Sequence, residues 1–252
     1  ALAAAIQLEL FTHVAAGADT LPALASATKA SERGLRALAN HLVMAEFLVK
    51  AGERYRCTPE AAAFLDSRSP AYMGSITTFL NSDGLVRCFD DLVTAVRRGG
   101  TIAKDGGTTA RENPVWVEFA RAMQPMARAF AGGLADAACR GGVPERVLDI
   151  AAGHGLYGLE LLKRSKTSTL VSQDWANVLT VARENAERAG LASRQRSLPG
   201  SAFEVEFGTG FDAILVTNFL HHFSRSVCVH FLAKCRAALS KTGRVAVLEF
   251  AL

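Results

Sequence analysis

Two glycines and two acids carry the first chemical signal. Gly153-His154-Gly155-Leu156-Tyr157-Gly158 has the spacing G-x-G-x-x-G, and Asp174 follows at about the distance expected of a ribose-binding acid. Glycines at Gly153 and Gly155 let the backbone turn tightly and come close to a ligand. Asp149, inside the apolar run just before them, changes the reading. A loop that cradles a pyrophosphate uses neutral backbone and a helix dipole, so an acid in the strand would repel phosphate and suits a ligand carrying positive charge. Farther along, His221 and His222 stand side by side, and a histidine is the side chain best poised to take a proton near neutral pH. Adjacent histidines on one rigid element cannot readily share an ion, and no H-E-x-x-H or acidic ligand set accompanies them, so no metal is expected.

The elements that must position these residues follow from pattern. The run 147–152 is short and apolar and reads as a buried strand; 156–163 turns helical. The glycine loop thus lies between a strand's C-terminal end and a helix, where open α/β sheets bind nucleotide-like ligands. Strands follow at 168–173, ending in Asp174-Trp175, at 194–198, leading to Gly200-Ser201-Ala202-Phe203, at 211–217, and at 244–250 after Gly243. Helices at 176–189 and at 224–239, the latter capped by Ser224, alternate with them. That alternation predicts an α/β class, a Rossmann-like, doubly wound and mostly parallel sheet. The segment 218–223 sits at the end of the fourth strand and faces the same crevice as the glycine loop.

Residues 1 to about 70 read differently. Apolar positions predict a helix ending near Gly17, a second at 21–29, and a third that starts at Ser31, runs through Phe47 and closes at Gly52. A hairpin-like piece at 53–58 follows. This is a winged-helix pattern, which raises DNA binding, but charge opposes it. Lys29, Arg33, Arg36, Lys50, Arg54, Arg56 and Arg68 are balanced by Glu9, Asp19, Glu32, Glu46, Glu53, Glu60 and Asp66. A nucleic-acid reader needs a cationic face that releases counterions. Residues 85–97 predict one helix, 99–113 a loop, and 115–139 a long apolar helix broken by Pro125.

The stretch Val147-Leu-Asp-Ile-Ala-Ala-Gly-His-Gly155 resembles motif I of class I S-adenosylmethionine-dependent methyltransferases. The whole chain is similar to small-molecule O-methyltransferases that carry an N-terminal winged-helix dimerisation module. The resemblance implies S-adenosylmethionine bound by Asp149, Gly153, Gly155, Asp174, Trp175, Ser201, Phe203 and Thr217. It implies an acceptor pocket walled by Phe119, Met123, Met126 and His222. The family's Gly-Asp-x-Phe reads Gly200-Ser201-Ala202-Phe203 here, with a shorter neutral group near the adenine. The family segment ending in His-Asp-Trp, whose histidine is the general base, aligns from Ala213 onto His221-His222-Phe223, which implies that His221 is the base. Thr217 stands where a lysine often touches the cofactor. A homodimer through the N-terminal module and a small, largely apolar aromatic, polyketide or pigment-like acceptor complete the expectation. So do domain bounds of 1–100, 101–143 and 144–252.

Composition is compatible with this. Half of the 252 residues are hydrophobic and the net charge is +4, too small and dispersed to imply a nucleic-acid partner. Cys57, Cys88, Cys139, Cys228 and Cys235 form no C-x-x-C pair and read as buried thiols of a cytoplasmic protein, Cys228 and Cys235 both facing the core. No run reaches membrane-spanning length, and residues 1–12 look like an amphipathic helix entered mid-way, not a leader. The chain is expected to be C-terminally incomplete. On that reading Val245, Val247 and Phe250 lie on a bare edge, and by motif no residue here stands in for the carboxylates that orient the family's catalytic histidine. Two other functions stay open: a nicotinamide oxidoreductase on the same glycine loop, and a non-catalytic ligand sensor with a winged helix.

Overall fold

The structure, a computed structural model, describes residues 1–100, 102 and 110–250. The chain divides into two compact units, Ala1–Asp90 and Asp91–Leu252. The first opens with helices α1 (Leu2–Gln7), α2 (Leu10–Ala15), α3 (Leu21–Thr28) and α4 (Glu32–Met44). Ser31 caps α4 by accepting from the Gly34 amide at 3.2 Å. The third helix does not run on to Gly52. Glu46 takes a left-handed φ of 61° and the Phe47 amide folds back to the Leu42 carbonyl, which ends the helix. Residues beyond it form β1 (Leu48–Ala51), paired antiparallel with β2 (Arg54–Cys57). Gly52, at φ 62°, makes the hairpin turn. The wing is therefore longer than the sequence pattern implied, because Leu48 and Tyr55 are buried against Leu10, Phe11, Leu24, Leu35 and Leu42. Of the apolar positions on the third helix, Ala39 and Leu42 pack inward while Met44 is 84% exposed.

α5 (Pro59–Leu65) and α6 (Ile76–Leu80) follow, and the helix expected at 85–97 is broken into the end of α7 (Asp83–Val86), a 3-10 turn at Arg87–Phe89 and α8 (Leu92–Arg98). Asp91 starts the last of these by accepting from the Thr94 amide at 2.9 Å. The apolar positions Phe89, Leu92, Val93 and Val96 are exposed, so no core favours one continuous helix over a local cap. Most of the loop expected at 99–113 lies outside the described residues.

The second unit continues with α9 (Val115–Ala122) and α10 (Gln124–Ala138), separated at Met123. Pro125 sits in the first turn of α10, where its missing N–H leaves nothing unpaired, so it starts a helix and the chain turns just before it. Then come β3 (Arg146–Ile150), α11 (Leu156–Leu162), β4 (Thr169–Asp174), α12 (Ala176–Arg188), β5 (Gln195–Pro199), β6 (Phe211–Thr217), α13 (Arg225–Ala238) and β7 (Leu239–Leu248). All pairings in this sheet are parallel, in the order β5-β4-β3-β6-β7. Asp149 on β3 lies level with Ser172 and Leu215, so the central strand is buried on both edges. Ala131, Leu134, Leu161, Leu162 and Leu215 make one core layer; Leu148, Ile150, Ile214, Val216 and Phe231 make another.

Three details differ from expectation. β7 starts at Leu239, not near 244, with a register shift opposite Phe211 to Ala213. Gly243 lies within it because a Cβ there would stand 2.5 Å from the Phe211 carbonyl oxygen. Ser224 occupies the N-cap of α13, but its Oγ pairs with that of Ser226 at 3.1 Å and does not cap the helix. Val247 and Phe250 are exposed as expected, yet Val245 packs on the core. All five cysteines are free, and of them only Cys235 is buried; Cys228 is half-buried with its thiol on the Leu220 carbonyl at 3.3 Å. Among the described residues no helix is long and apolar enough to cross a membrane.

Candidate active site

A cavity of about 420 Å³ opens at the C-terminal ends of β3, β4, β5 and β6, within the range usual for small-ligand sites. Its floor is the β3–α11 loop. Ala151, at the strand's end, holds a positive φ of 48°, and Gly153 one of 56°. Asp174 fastens this loop. Its Oδ2 accepts from the Gly153 amide at 2.8 Å, and its Oδ1 accepts from the Trp175 amide at 2.7 Å. Each carboxylate oxygen keeps a lone pair for the cavity. Burial pushes the Asp174 pKa up to about 6, against the pull of the Gly153 and Trp175 amides.

The expected cofactor residues divide into two groups. Gly153, Asp174, Trp175, Ser201, Phe203 and Thr217 all line the cavity. Asp149 and Gly155 do not. Asp149 is fully buried beneath the loop, with Oδ2 accepting from the Gly158 amide at 3.2 Å and Oδ1 without a partner. Burial pushes its pKa up to about 8, the Gly158 amide opposing this and the Asp174 charge adding to it. An acid that keeps its proton at neutral pH does not attract a cation by charge. Its work is to hold the start of α11, and Gly158 is glycine because a Cβ would lie 2.9 Å from Asp149 Oδ2. Gly155, at φ 71°, serves packing as well: a Cβ there would stand 3.0 Å from that of Ala182 on α12.

The acceptor expectation divides similarly. Phe119 and His222 line the cavity; Met123 and Met126 do not. Met123 caps both helices, as the C-cap of α9 and the N-cap of α10. Trp116 takes the wall position instead, its ring edge-on to His222 at 5.5 Å and to Phe119 at 5.5 Å. His221 lies beside the cavity and is not among the residues lining it, its ring 4.1 Å from that of His222.

His221 is nonetheless fixed. Its Nδ1 is 2.7 Å from Glu249 Oε2, and Glu249 Oε1 accepts from the amides of Phe219 and Leu220 at 2.8 and 2.6 Å. The expectation that no carboxylate orients this histidine is therefore wrong. Glu249, just past β7, lies next to the β6 loop because those two strands are neighbours in the sheet. Burial would raise its pKa, but the His221 bond and the two amides outweigh that and hold it below the usual carboxylate value. A carboxylate on Nδ1 leaves Nε2 unprotonated and free to accept a proton. Burial first, and His221 second, hold His222 below the ordinary imidazole value, with Glu249 opposing.

Several residues of the site had no motif to announce them. Gln173 bridges two loops, its Oε1 accepting from the Ala151 amide at 3.3 Å and its Nε2 donating to the Gly200 carbonyl at 2.6 Å. Lys234 on α13 donates to the carbonyls of Ala202, Phe203 and Val205 at 3.1, 3.0 and 2.7 Å, pinning the loop after β5. Phe203 packs with Phe219, Phe223 and Phe231 in one aromatic cluster. Glu204 follows Ser201 by one turn, its amide on the Ser201 carbonyl at 3.0 Å, and also lines the cavity. Arg111 stands over Trp175 at 5.9 Å. Among the described residues no group of His, Cys, Asp or Glu could hold a metal ion.

This cavity fits a nucleoside ligand: spare carboxylate lone pairs suit ribose hydroxyls, and aromatic faces suit a purine. Comparison with known proteins agrees. Residues 147–243 match the methyltransferase domain family, and residues 1–67 match the O-methyltransferase dimerisation domain. A solved structure of a candidate O-methyltransferase from Nostoc punctiforme PCC 73102 superposes with a TM-score of 0.92 at 41% identity, covering 98% of this chain and 74% of that one. The 3-hydroxy-5-methyl-1-naphthoate 3-O-methyltransferase of Streptomyces sahachiroi is 26% identical over 251 residues, 98% of this chain and 72% of its own length. The 3-amino-4-hydroxybenzoate 4-O-methyltransferase of Streptomyces cremeus is 31% identical over 103 residues, which are 41% of this chain and 28% of that protein. Along its whole described length, then, this chain belongs to the class I S-adenosylmethionine-dependent O-methyltransferases that carry an N-terminal dimerisation domain.

Proposed function

We propose that the protein transfers a methyl group to a hydroxyl of a small, largely apolar aromatic metabolite, with His221 as general base. The observation that carries this reading is the Glu249–His221 pair at 2.7 Å, set beside a cavity whose other end holds the ribose-type acid Asp174. Bound there, S-adenosylmethionine supplies an electrophilic methyl group on a sulfonium.

The chain's own residues have three tasks. Asp174 accepts the ribose hydroxyls, while Trp175 and Phe203 cover the purine. Ser201 and Glu204 border the purine edge, the carboxylate one turn on making up for the acid that Ser201 lacks. Phe119, Trp116 and His222 hold the acceptor ring. His221 Nε2 takes the hydroxyl proton as the oxygen attacks, and Glu249 stabilises the imidazolium that results. A phenol, with a pKa of about 10, needs such a base at neutral pH. The acceptor class rests on the Streptomyces relatives, whose names specify hydroxylated naphthoate and benzoate acceptors, and on the aromatic wall. A homodimer formed through residues 1–67 follows from the dimerisation-domain match.

Thermal shift with S-adenosylhomocysteine and with NAD tests the cofactor reading. Stabilisation by the first alone is expected; stabilisation by NAD alone overturns it. Mass spectrometry of naphthoate and hydroxybenzoate acceptors, looking for a methyl increment, tests the reaction.

A further inference from the structure

His154 occupies the middle of the glycine loop, yet nothing in the reaction above uses it. It is 6% exposed and lines the cavity. Its backbone carbonyl accepts from Asn185 Nδ2 at 2.7 Å, and its ring lies 5.3 Å from that of Tyr157. Its Nδ1 accepts from the Leu156 amide at 3.2 Å. A ring nitrogen that accepts an N–H carries no proton itself, so in the neutral imidazole the proton sits on Nε2. Burial, and then the charge of Arg128, push this histidine down to about 4, so it stays neutral through the physiological range. Nε2 has no partner among the described residues, and it is not one of the sealed, unpaired polar atoms. A buried ring with one fixed nitrogen therefore presents an unused N–H donor to the cavity.

The two ends of the cavity differ in their carboxylates. Asp174 and Glu204 stand on the wall formed by β4 and β5, with Arg111 over Trp175 beside them. Around His154 the neighbours are Tyr157 and Asn218, hydrogen-bonded to each other, with the Arg128 charge behind. An anionic group is favoured at this second end and disfavoured at the first. Resting on the cofactor assignment above, we infer that His154 Nε2–H binds the carboxylate of the cofactor's amino-acid portion. The glycine loop then reads the amino-acid end by a side chain as well as by its backbone, and discriminates against adenosyl thioethers that lack the carboxylate.

Calorimetric titration with S-adenosylhomocysteine and with its decarboxylated analogue tests this on the whole chain. The wild type should bind the first at least tenfold more tightly. His154→Phe keeps an aromatic ring and removes the donor; it should weaken S-adenosylhomocysteine roughly 10- to 100-fold and leave the analogue within about twofold. His154→Gln, which places an amide N–H near the Nε2 position, should recover part of the discrimination. Equal weakening of both ligands in the Phe variant would mean the ring only shapes the loop, and the inference fails. So it does if neither ligand's affinity changes. A wild type that binds neither ligand refutes the cofactor assignment itself, a separate failure. Should the Phe variant not fold, nitrogen NMR of His154 in the wild type decides: Nε2 should shift with S-adenosylhomocysteine and not with the decarboxylated analogue, and equal or absent shifts overturn the inference.

Discussion

Replacing Asp174 by alanine is the most searching perturbation of the cofactor end. The carboxylate holds two loop amides, at 2.8 and 2.7 Å, and offers its remaining lone pairs to the ribose. Charge-assisted hydrogen bonds contribute about 1.5–3 kcal/mol each. Loss of two to the ligand removes at least about 3 kcal/mol, roughly 150-fold in Kd. The Gly153 amide also loses its acceptor, which loosens the floor on which the ligand rests. Isothermal titration with S-adenosylhomocysteine measures the result directly. pH gives an independent check with a defined sign. Asp174 in the free protein titrates at about 6, and the ligand needs the ionised form, so affinity should rise with pH through that value and level off above it. For a single group at about 6 the wild type should bind about tenfold more weakly at pH 5 than at pH 7. The alanine variant should show no such slope. An unchanged Kd in the variant, or identical pH slopes in the two proteins, would refute the assignment of Asp174 to the ribose.

His221→Ala should lower turnover by roughly 10²–10⁴ with cofactor affinity intact, and His222→Ala should cost less in kcat than in acceptor KM; steady-state kinetics in which His222→Ala is the dead variant would exchange the two roles. Glu249→Gln should keep the amides of Phe219 and Leu220 bonded but lose the charge that favours the imidazolium, lowering kcat by about 10- to 1,000-fold without moving KM. Asp149→Asn should gain on the wild type as pH rises. The folded-state pKa of Asp149 is raised to about 8, so ionising it weighs against the fold progressively above its unfolded value of about 4; parallel urea-unfolding curves at pH 5.5 and 8.5 would count against a protonated Asp149. Gly158→Ala places a methyl 2.8 Å from Leu170 Cδ1 and 2.9 Å from Asp149 Oδ2, and overpacking of that kind should cost about 1–3 kcal/mol in chemical denaturation.

What could be read from the sequence is what repeats along it. Strand β3, the glycine turn and Asp174 are local features with a fixed period or spacing, and each falls where the pattern put it. The run 211–217 became β6 without adjustment because the unbroken apolar stretch Ala213 to Val216, just after a glycine, admits little else. The misreadings have a common cause. Asp149 and Gly155 belong to the motif, but motif membership does not say what a residue packs against: the Asp149 carboxylate meets the start of α11 and the Gly155 backbone packs on α12. Met123 fell at a helical period that stops there, since the helix start at Gln124 resets the phase. Glu249 and Gln173 escaped notice because each acts on a loop reached only through the sheet. Glu249 touches Phe219 and Leu220 across a gap of about thirty residues in sequence, and parallel strand order, which sequence does not print, is what closes it.

The order β5-β4-β3-β6-β7 also divides labour. On one side of β3, the ends of β4 and β5 supply Asp174, Trp175, Ser201 and Phe203, the groups proposed for the nucleoside. On the other side, β6 and β7 lead to His221, His222 and Glu249, the groups proposed for the reacting hydroxyl. Two features belong to both: the β3 loop, and the aromatic cluster in which Phe203 packs on Phe219, Phe223 and Phe231. A mutation on one wing therefore reaches the other through the β3 loop, tied down by Gln173 and Asp174, or through that cluster. Variation in the β6 and β7 loops can retune which hydroxyl is presented, and how strongly its proton is drawn, while the nucleoside cradle stays as it is wherever the Phe203 cluster is kept. For directed evolution of acceptor range, this favours positions 222 and 250 over 219 and 223, whose rings pack on Phe203.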